Sequence, residues 1–207
     1  MSDQIIVTIS RQPGSGGLEI GQRLARRLKA VYIDKKTVAK AALGFDAVLK
    51  EIDDSKPASR FWELLGQTPI LNDLESYIPE MRSIVSDAMV HEKEEEILLE
   101  LIGKGPAVVV GRGGFFRLRS YPKIINIFLS GDIEYRIDNY RRIFQLDRRE
   151  AEELINTTDQ ATERYIYKVT GKDMLDVRNY DLMINVSKLD FNRVVEMILE
   201  YMHYRFN

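Results

Sequence analysis

Gln4-Ile5-Ile6-Val7-Thr8-Ile9-Ser10-Arg11-Gln12-Pro13-Gly14-Ser15-Gly16-Gly17-Leu18-Glu19-Ile20 decides how this chain is read. Residues 4–10 are rich in β-branched side chains and predict a strand, which the run Pro13 to Gly17 then breaks. From Leu18 the apolar positions Ile20, Leu24, Ala25 and Leu28 recur at helical spacing, with Arg23, Arg26 and Arg27 between them. A strand, a glycine loop and a helix in that order open many α/β nucleotide-binding folds. The glycines let successive backbone amides turn toward one anion, and the N-terminus of the following helix adds partial positive charge. A standard phosphate-binding loop reads G-x-x-x-x-G-K-[ST]. This chain keeps Gly14-Ser15-Gly16 but has Gly17 at the lysine position, Leu18 at the magnesium-binding hydroxyl and Arg11 at the first glycine. The alternative is a plain turn between a strand and a helix.

The remaining composition narrows what such a loop could serve. The chain has 207 residues, 44% apolar and 30% charged, with a net charge of −2 and no cysteine. That length suits one domain with a single core. Without cysteine there are no disulfides or thiolate metal sites, which fits a reducing cytoplasmic setting. No apolar run reaches the roughly 18 residues of a membrane span, no leader pattern is visible, and near-neutral charge argues against nucleic acid as a partner. The charge is nevertheless segregated. Residues 1–36 carry a net +4, residues 44–103 a net −9, and residues 104–130 five cations and no acid. Two basic segments flanking an acidic one suggest an anion site built from separated parts of the chain, with scattered solvated faces as the alternative.

Outward from the loop, Val31-Tyr32-Ile33 reads as a short strand closed by Asp34, and 35–49 as helical with a break at Gly44. Pro57, Pro69 and Pro79 punctuate short helical pieces over 50–82. Residues 84–102 predict a helix whose Glu92–Glu96 run is a solvated face, although the helix could also carry a seam between two copies of the chain. Ala107-Val108-Val109-Val110 is a continuous apolar run, as a strand covered on both faces should be, and 124–129 repeats it apart from Asn126. Helices follow over about 132–144 and 147–168, the second capped by Asp147 with Glu150 three residues on. A strand over 180–186 and a helix over 191–204 close the chain. Alternating strands and helices predict an α/β fold, a three-layer parallel sheet of about five strands with ligands outside the strands' carboxyl ends. The basic residues fall largely there.

The stretch from Ile9 to Ile20, Ile-Ser-Arg-x-x-Gly-Ser-Gly-Gly-x-Glu-Ile, resembles the cytidylate-kinase-like proteins, a branch of the P-loop nucleoside monophosphate kinases. Further similarities, in the family's order, are Tyr32-Ile33-Asp34-Lys35, Val110-Gly111-Arg112, Thr170-Gly171-Lys172-Asp173 and Asn179 to Ser187. The resemblance implies a P-loop kinase domain over 1–207, with a helical acceptor-binding lobe at 36–82 and a helical lid at 132–172. It implies ATP as phosphoryl donor, Mg²⁺ bridging the ATP phosphates with unknown protein ligands, and small-molecule nucleotides as partners.

The resemblance also implies roles. Gly14, Ser15, Gly16 and Gly17 would cradle the β- and γ-phosphates, and Arg11 would replace the absent lysine, its alternative being a surface salt bridge. Asp34 would hold or deprotonate the acceptor, although it could equally cap the helix that follows. Arg112 would grip the acceptor's phosphate. The cytidylate pattern there is Asp-Gly-Arg-Asp, and both aspartates are missing, at Val110 and Gly113, which weakens the magnesium site and any claim to cytosine recognition. Arg136, Arg141 and Arg142 lie where the lid begins, and Arg136 could instead pair with Asp132 four residues earlier. Asp159 and Arg164 sit near the second lid motif, where the arginine expected three residues after Asp159 is Thr162. His91 and His203 read as surface residues, and Trp62 with Phe61 as a small core beneath the lobe. The favoured expectation is phosphoryl transfer from ATP to a nucleoside monophosphate. A kinase of another small molecule and a nucleotide-binding regulator with impaired catalysis are the alternatives.

Overall fold

The protein is described as a computed structural model covering residues 4–38, 41 and 87–206. Most of the expected acceptor-binding lobe, with Phe61 and Trp62, lies outside the described residues. Five strands form one parallel sheet: β1 (Ile6–Arg11), β2 (Val31–Ile33), β3 (Ala107–Val110), β4 (Ile124–Ser130) and β5 (Leu182–Asn185), in the order β2-β3-β1-β4-β5. The sheet therefore matches the expected α/β architecture. β1 runs one residue further than expected, so that Arg11 is paired in register with Leu129 instead of lying in the loop.

The central strand β1 is buried along its whole length, and its neighbour β3, buried likewise, reads as an unbroken apolar run because both of its faces are covered. Val7 and Ile9 face one layer, where Ile20 and Leu24 of α1 (Gly17–Leu28) meet Val194 and Ile198 of α6 (Phe191–Phe206). Ile6 faces the other, with Val109 and with Leu98 and Ile102 of α2 (Asp87–Ile102). Each such fully buried aliphatic side chain contributes about 1.5–3 kcal/mol. Asn126, the polar break in β4, sits opposite Thr8, whose hydroxyl donates to Asn126 Oδ1 at 2.7 Å.

The expected lid begins as an antiparallel pair of helices, α4 (Ile133–Phe144) and α5 (Arg148–Thr170), joined through Ile137, Tyr140, Ala151 and Ile155. The predicted capping box is present: Glu150 N–H donates to Asp147 Oδ1 and Asp147 N–H to Glu150 Oε2, both at 2.8 Å. A short helix not expected from the sequence, α3 (Gly114–Arg117), follows β3 and brings Gly114 against Thr8. Among the described residues no helix is long and apolar enough to cross a membrane.

Candidate active site

The loop between β1 and α1 is shaped by two left-handed glycines, Gly14 (φ 79°) and Gly16 (φ 76°). Ile20 is the first residue of α1 whose N–H finds a helical acceptor, Gly16 O at 3.1 Å, so the preceding amides of Gly17, Leu18 and Glu19 are left at the helix end. The loop is fitted tightly on two sides. A Cβ at Gly14 would stand 2.9 Å from the carbonyl oxygen of Arg136, and one at Gly16 would stand 2.2 Å from the Phe191 ring. Such an arrangement fits the polyphosphate of a nucleotide, because amides and helix charge converge where no side chain intrudes.

Arg11, only 8% exposed, runs from the end of β1 between Gly17 and Gly111. Added Cβ atoms there would stand 2.7 Å from its Cδ and its Nη1 respectively, so both glycines make room for this one side chain. Arg11, Asp34, Lys36 and Arg142 line one cleft of about 880 Å³ together with Gly14, Gly16 and Gly17. Arg26, Asn139 and Phe191 also line it. A cleft of this size accommodates a nucleotide, and its cations outnumber its acids.

Asp34 combines two of the expected positions. Its Oδ1 accepts from Thr37 N–H at 2.8 Å and from the Thr37 hydroxyl at 2.9 Å, which caps the following helical turn. It also borders the cleft, where its carboxylate orientation is fixed by that cap. Burial first, and Asp34 beside it, push the Tyr32 hydroxyl well above its ordinary pKa, while Arg11 pulls the other way.

The arginines expected in the lid separate into distinct environments. Arg136, 3% exposed, pairs with Asp159 through Nη1 at 3.0 Å and Nη2 at 2.7 Å, not with Asp132. Asp132 instead accepts from Asn185 Nδ2 at 2.8 Å. Arg141 is exposed beside Asp138. Arg142 borders the cleft and donates to Asn139 Oδ1 at 3.1 Å. Arg164 is exposed and donates to Gln160 O one turn back on its own helix, and is not among the residues lining the cleft.

Arg112 stands at the carboxyl end of β3 in a left-handed conformation (φ 58°). Its Nη1 pairs with Glu94 Oε1 at 2.5 Å, its guanidinium lies 4.7 Å from the Tyr165 ring centroid, and both ionic side chains are about nine-tenths buried. Glu94 therefore leaves the solvated face expected for Glu92–Glu96, because it turns inward onto Arg112, whereas Glu95 and Glu96 are exposed. The sequence does not single out Glu94, Lys36, Asn139 or Phe191 as site residues. Only the spacing of Asn139 and Arg142 on one helical face offered a signal.

Leu18 occupies the hydroxyl position, and among the described residues no three His, Cys, Asp or Glu side chains converge to hold a metal.

The Arg136–Asp159 pair gives a pH signature. Burial outweighs Arg136 and, with Glu163 adding to the rise, pushes the Asp159 carboxyl from 3.8 up to about 6. A carboxyl that holds its proton more tightly folded than unfolded loses stability for the fold as pH rises across that window, by at most about 3 kcal/mol. Asp159→Asn cannot ionise. Its melting temperature relative to wild type is expected to climb between about pH 4 and pH 6.5, and a constant difference would contradict the assignment.

The profile of the cytidylate kinase-like family matches residues 6–188. The chain is 25% identical over 204 residues to a cytidylate kinase of Pyrobaculum neutrophilum, covering 95% of this chain and 92% of that protein. An uncharacterized protein of Eubacterium ventriosum superposes with a TM-score of 0.70 at 19% identity, covering 97% of this chain and 99% of that one. A shikimate kinase from Bacteroides thetaiotaomicron (TM-score 0.52, 17% identity, 97% and 99% covered) and a gluconokinase from Sinorhizobium meliloti (0.54, 12%, 100% of both) share the fold.

Proposed function

Because the chain belongs to the cytidylate kinase-like family, we propose that it transfers the γ-phosphoryl group of ATP to a nucleoside monophosphate. One observation carries this reading: a single cleft joins the glycine loop to Asp34 and gathers Arg11, Lys36 and Arg142 around it. Two anionic reactants must be brought together there, and catalysis of this kind is mostly positioning and neutralisation of charge. The amides of Gly14–Gly17 hold the β- and γ-phosphates. Arg11 supplies the charge that the lysine supplies in the standard loop, and its planar fork can take two phosphate oxygens. Arg142 approaches from the lid, and Asp34 orients the acceptor. Mg²⁺ bound to ATP would neutralise phosphate charge, with no protein ligand assigned to it.

Coupled ADP-release assays across the nucleoside monophosphates test the reading. Turnover with at least one is expected, and none with any, despite micromolar ATP binding, would sink it. A second reading, a kinase of another small molecule, is favoured by Glu94. A carboxylate already neutralises Arg112, so a phosphorylated acceptor would have to compete with it. Turnover confined to non-nucleotide acceptors would establish that alternative. If Arg112 grips the acceptor's phosphate, Arg112→Ala raises the acceptor KM about 10- to 100-fold, the worth of a charge-assisted hydrogen bond, and leaves the ATP KM alone. An unchanged acceptor KM removes Arg112 from that role.

A further inference from the structure

Asn139 makes two hydrogen bonds that connect the glycine loop to the lid. Its Nδ2 donates to Gly14 O at 2.8 Å, and its Oδ1 accepts from Arg142 Nη2 at 3.1 Å. A carbonyl can only accept and a guanidinium can only donate, so these partners fix the orientation of the amide. Positions 139 and 142 are three apart on one helix and share a face. Gly14 is confined from a second direction, since the Arg136 carbonyl oxygen lies only 2.9 Å from where its Cβ would be. The carbonyl that Asn139 holds therefore belongs to a peptide with little freedom to turn. Of the three arginines at the start of the lid, Arg136 is committed to Asp159 and Arg141 is on the solvent side with Asp138. Arg142 is the one that borders the cleft.

We propose that Asn139 is a positioning residue that couples the shape of the glycine loop to the aim of Arg142. The proposal rests on the reading of the cleft as the ATP site. When the Gly14 peptide has its observed orientation, the amide is locked, and its oxygen faces the guanidinium. The loop and the lid cation are then set by one side chain, and the first helix of the lid is tethered to the phosphate site at its centre. Leucine at 139 would lose both bonds, and aspartate would keep an acceptor for Arg142 while placing negative charge against Gly14 O. Serine is too short to bridge the two partners.

Calorimetric titration with ATP, alongside melting temperatures, tests this on wild type, Asn139→Leu, Asn139→Ser, Arg142→Ala and the Asn139→Leu/Arg142→Ala double variant. Arg142→Ala and both Asn139 variants are expected to weaken ATP binding about tenfold or more, as loss of a charge-assisted contact does. The double variant is expected to lose at least fivefold less than the product of the single losses, because part of the Asn139 effect runs through Arg142. A purely structural Asn139 would not show that coupling, since lost stability is indifferent to Arg142. Losses that multiply, or Asn139→Ser binding ATP as tightly as wild type, would overturn the proposal. Should Asn139→Leu not fold, the same cycle runs with Asn139→Ser. A wild-type protein that binds no ATP would overturn the kinase reading and this proposal with it. Tight wild-type binding with unaffected variants would overturn the coupling alone.

Discussion

Gly14→Ala is expected to raise the ATP dissociation constant at least 100-fold and to lower the melting temperature by about 4–8 °C, taking a strain of about 2 kcal/mol. Two costs combine. The backbone at 14 is left-handed (φ 79°), where any side chain costs about 1–2 kcal/mol. The new Cβ would also stand 2.9 Å from Arg136 O, 3.0 Å from its Cβ and 3.1 Å from its Cα. These are mostly main-chain atoms of a packed helix, so no rotamer change relieves the contact. The loop must move instead, and its movement turns away the amides proposed to hold the phosphates and strains the Asn139 bond to Gly14 O. Gly105→Ala is the control. Gly105 also has a positive φ (145°) but nothing among the described residues lies within 4 Å of an added Cβ, so its effect should be limited to stability. Equal ATP affinities for Gly14→Ala and wild type, measured by titration, would refute the packing argument.

Arg11→Ala is expected to lower kcat/KM about 1000-fold and Arg11→Lys about 100-fold, in the range seen for preorganised charges on a transferring phosphoryl group. Arg11 is held in a slot between two glycines, so its charge is in place before substrate arrives. Lysine keeps the charge but not the planar fork, and its different stem leaves the slot partly empty. Steady-state kinetics with ATP and the best acceptor, read beside the melting temperature, separate a catalytic loss from an unfolding one. A folded Arg11→Ala protein within tenfold of wild type would remove Arg11 from the reaction.

Much of the fold could be read along the chain because its causes are local. Ala107-Val108-Val109-Val110 is apolar at every position because parallel strands here are covered on both faces. Asp147 and Glu150 start α5 because each bonds the other's backbone within one turn. The candidate site was legible to the extent that it sits on such elements. Arg11 ends a strand, the glycine loop and Asp34 follow strands, and all border the cleft. The partners were harder. Arg136 had a local candidate in Asp132, yet its fork reaches Asp159, 23 residues away. Glu94 lay in a run of charges that looked solvated, and turned inward on Arg112.

What the sequence determined by itself is the order of strand, glycine loop and helix, the five-strand parallel sheet, and the edge of that sheet where the cations gather. Hydrophobic period and backbone preference act over a few residues, so one chain suffices to specify them. What only the tertiary structure decided is which arginine faces the cleft. Arg136, Arg141 and Arg142 are chemically the same, and within seven residues of helix they end on a half-buried aspartate, in solvent and at the glycine loop. A guanidinium goes where packing leaves it a counter-charge or an opening, and those are set by residues brought together from distant parts of the chain.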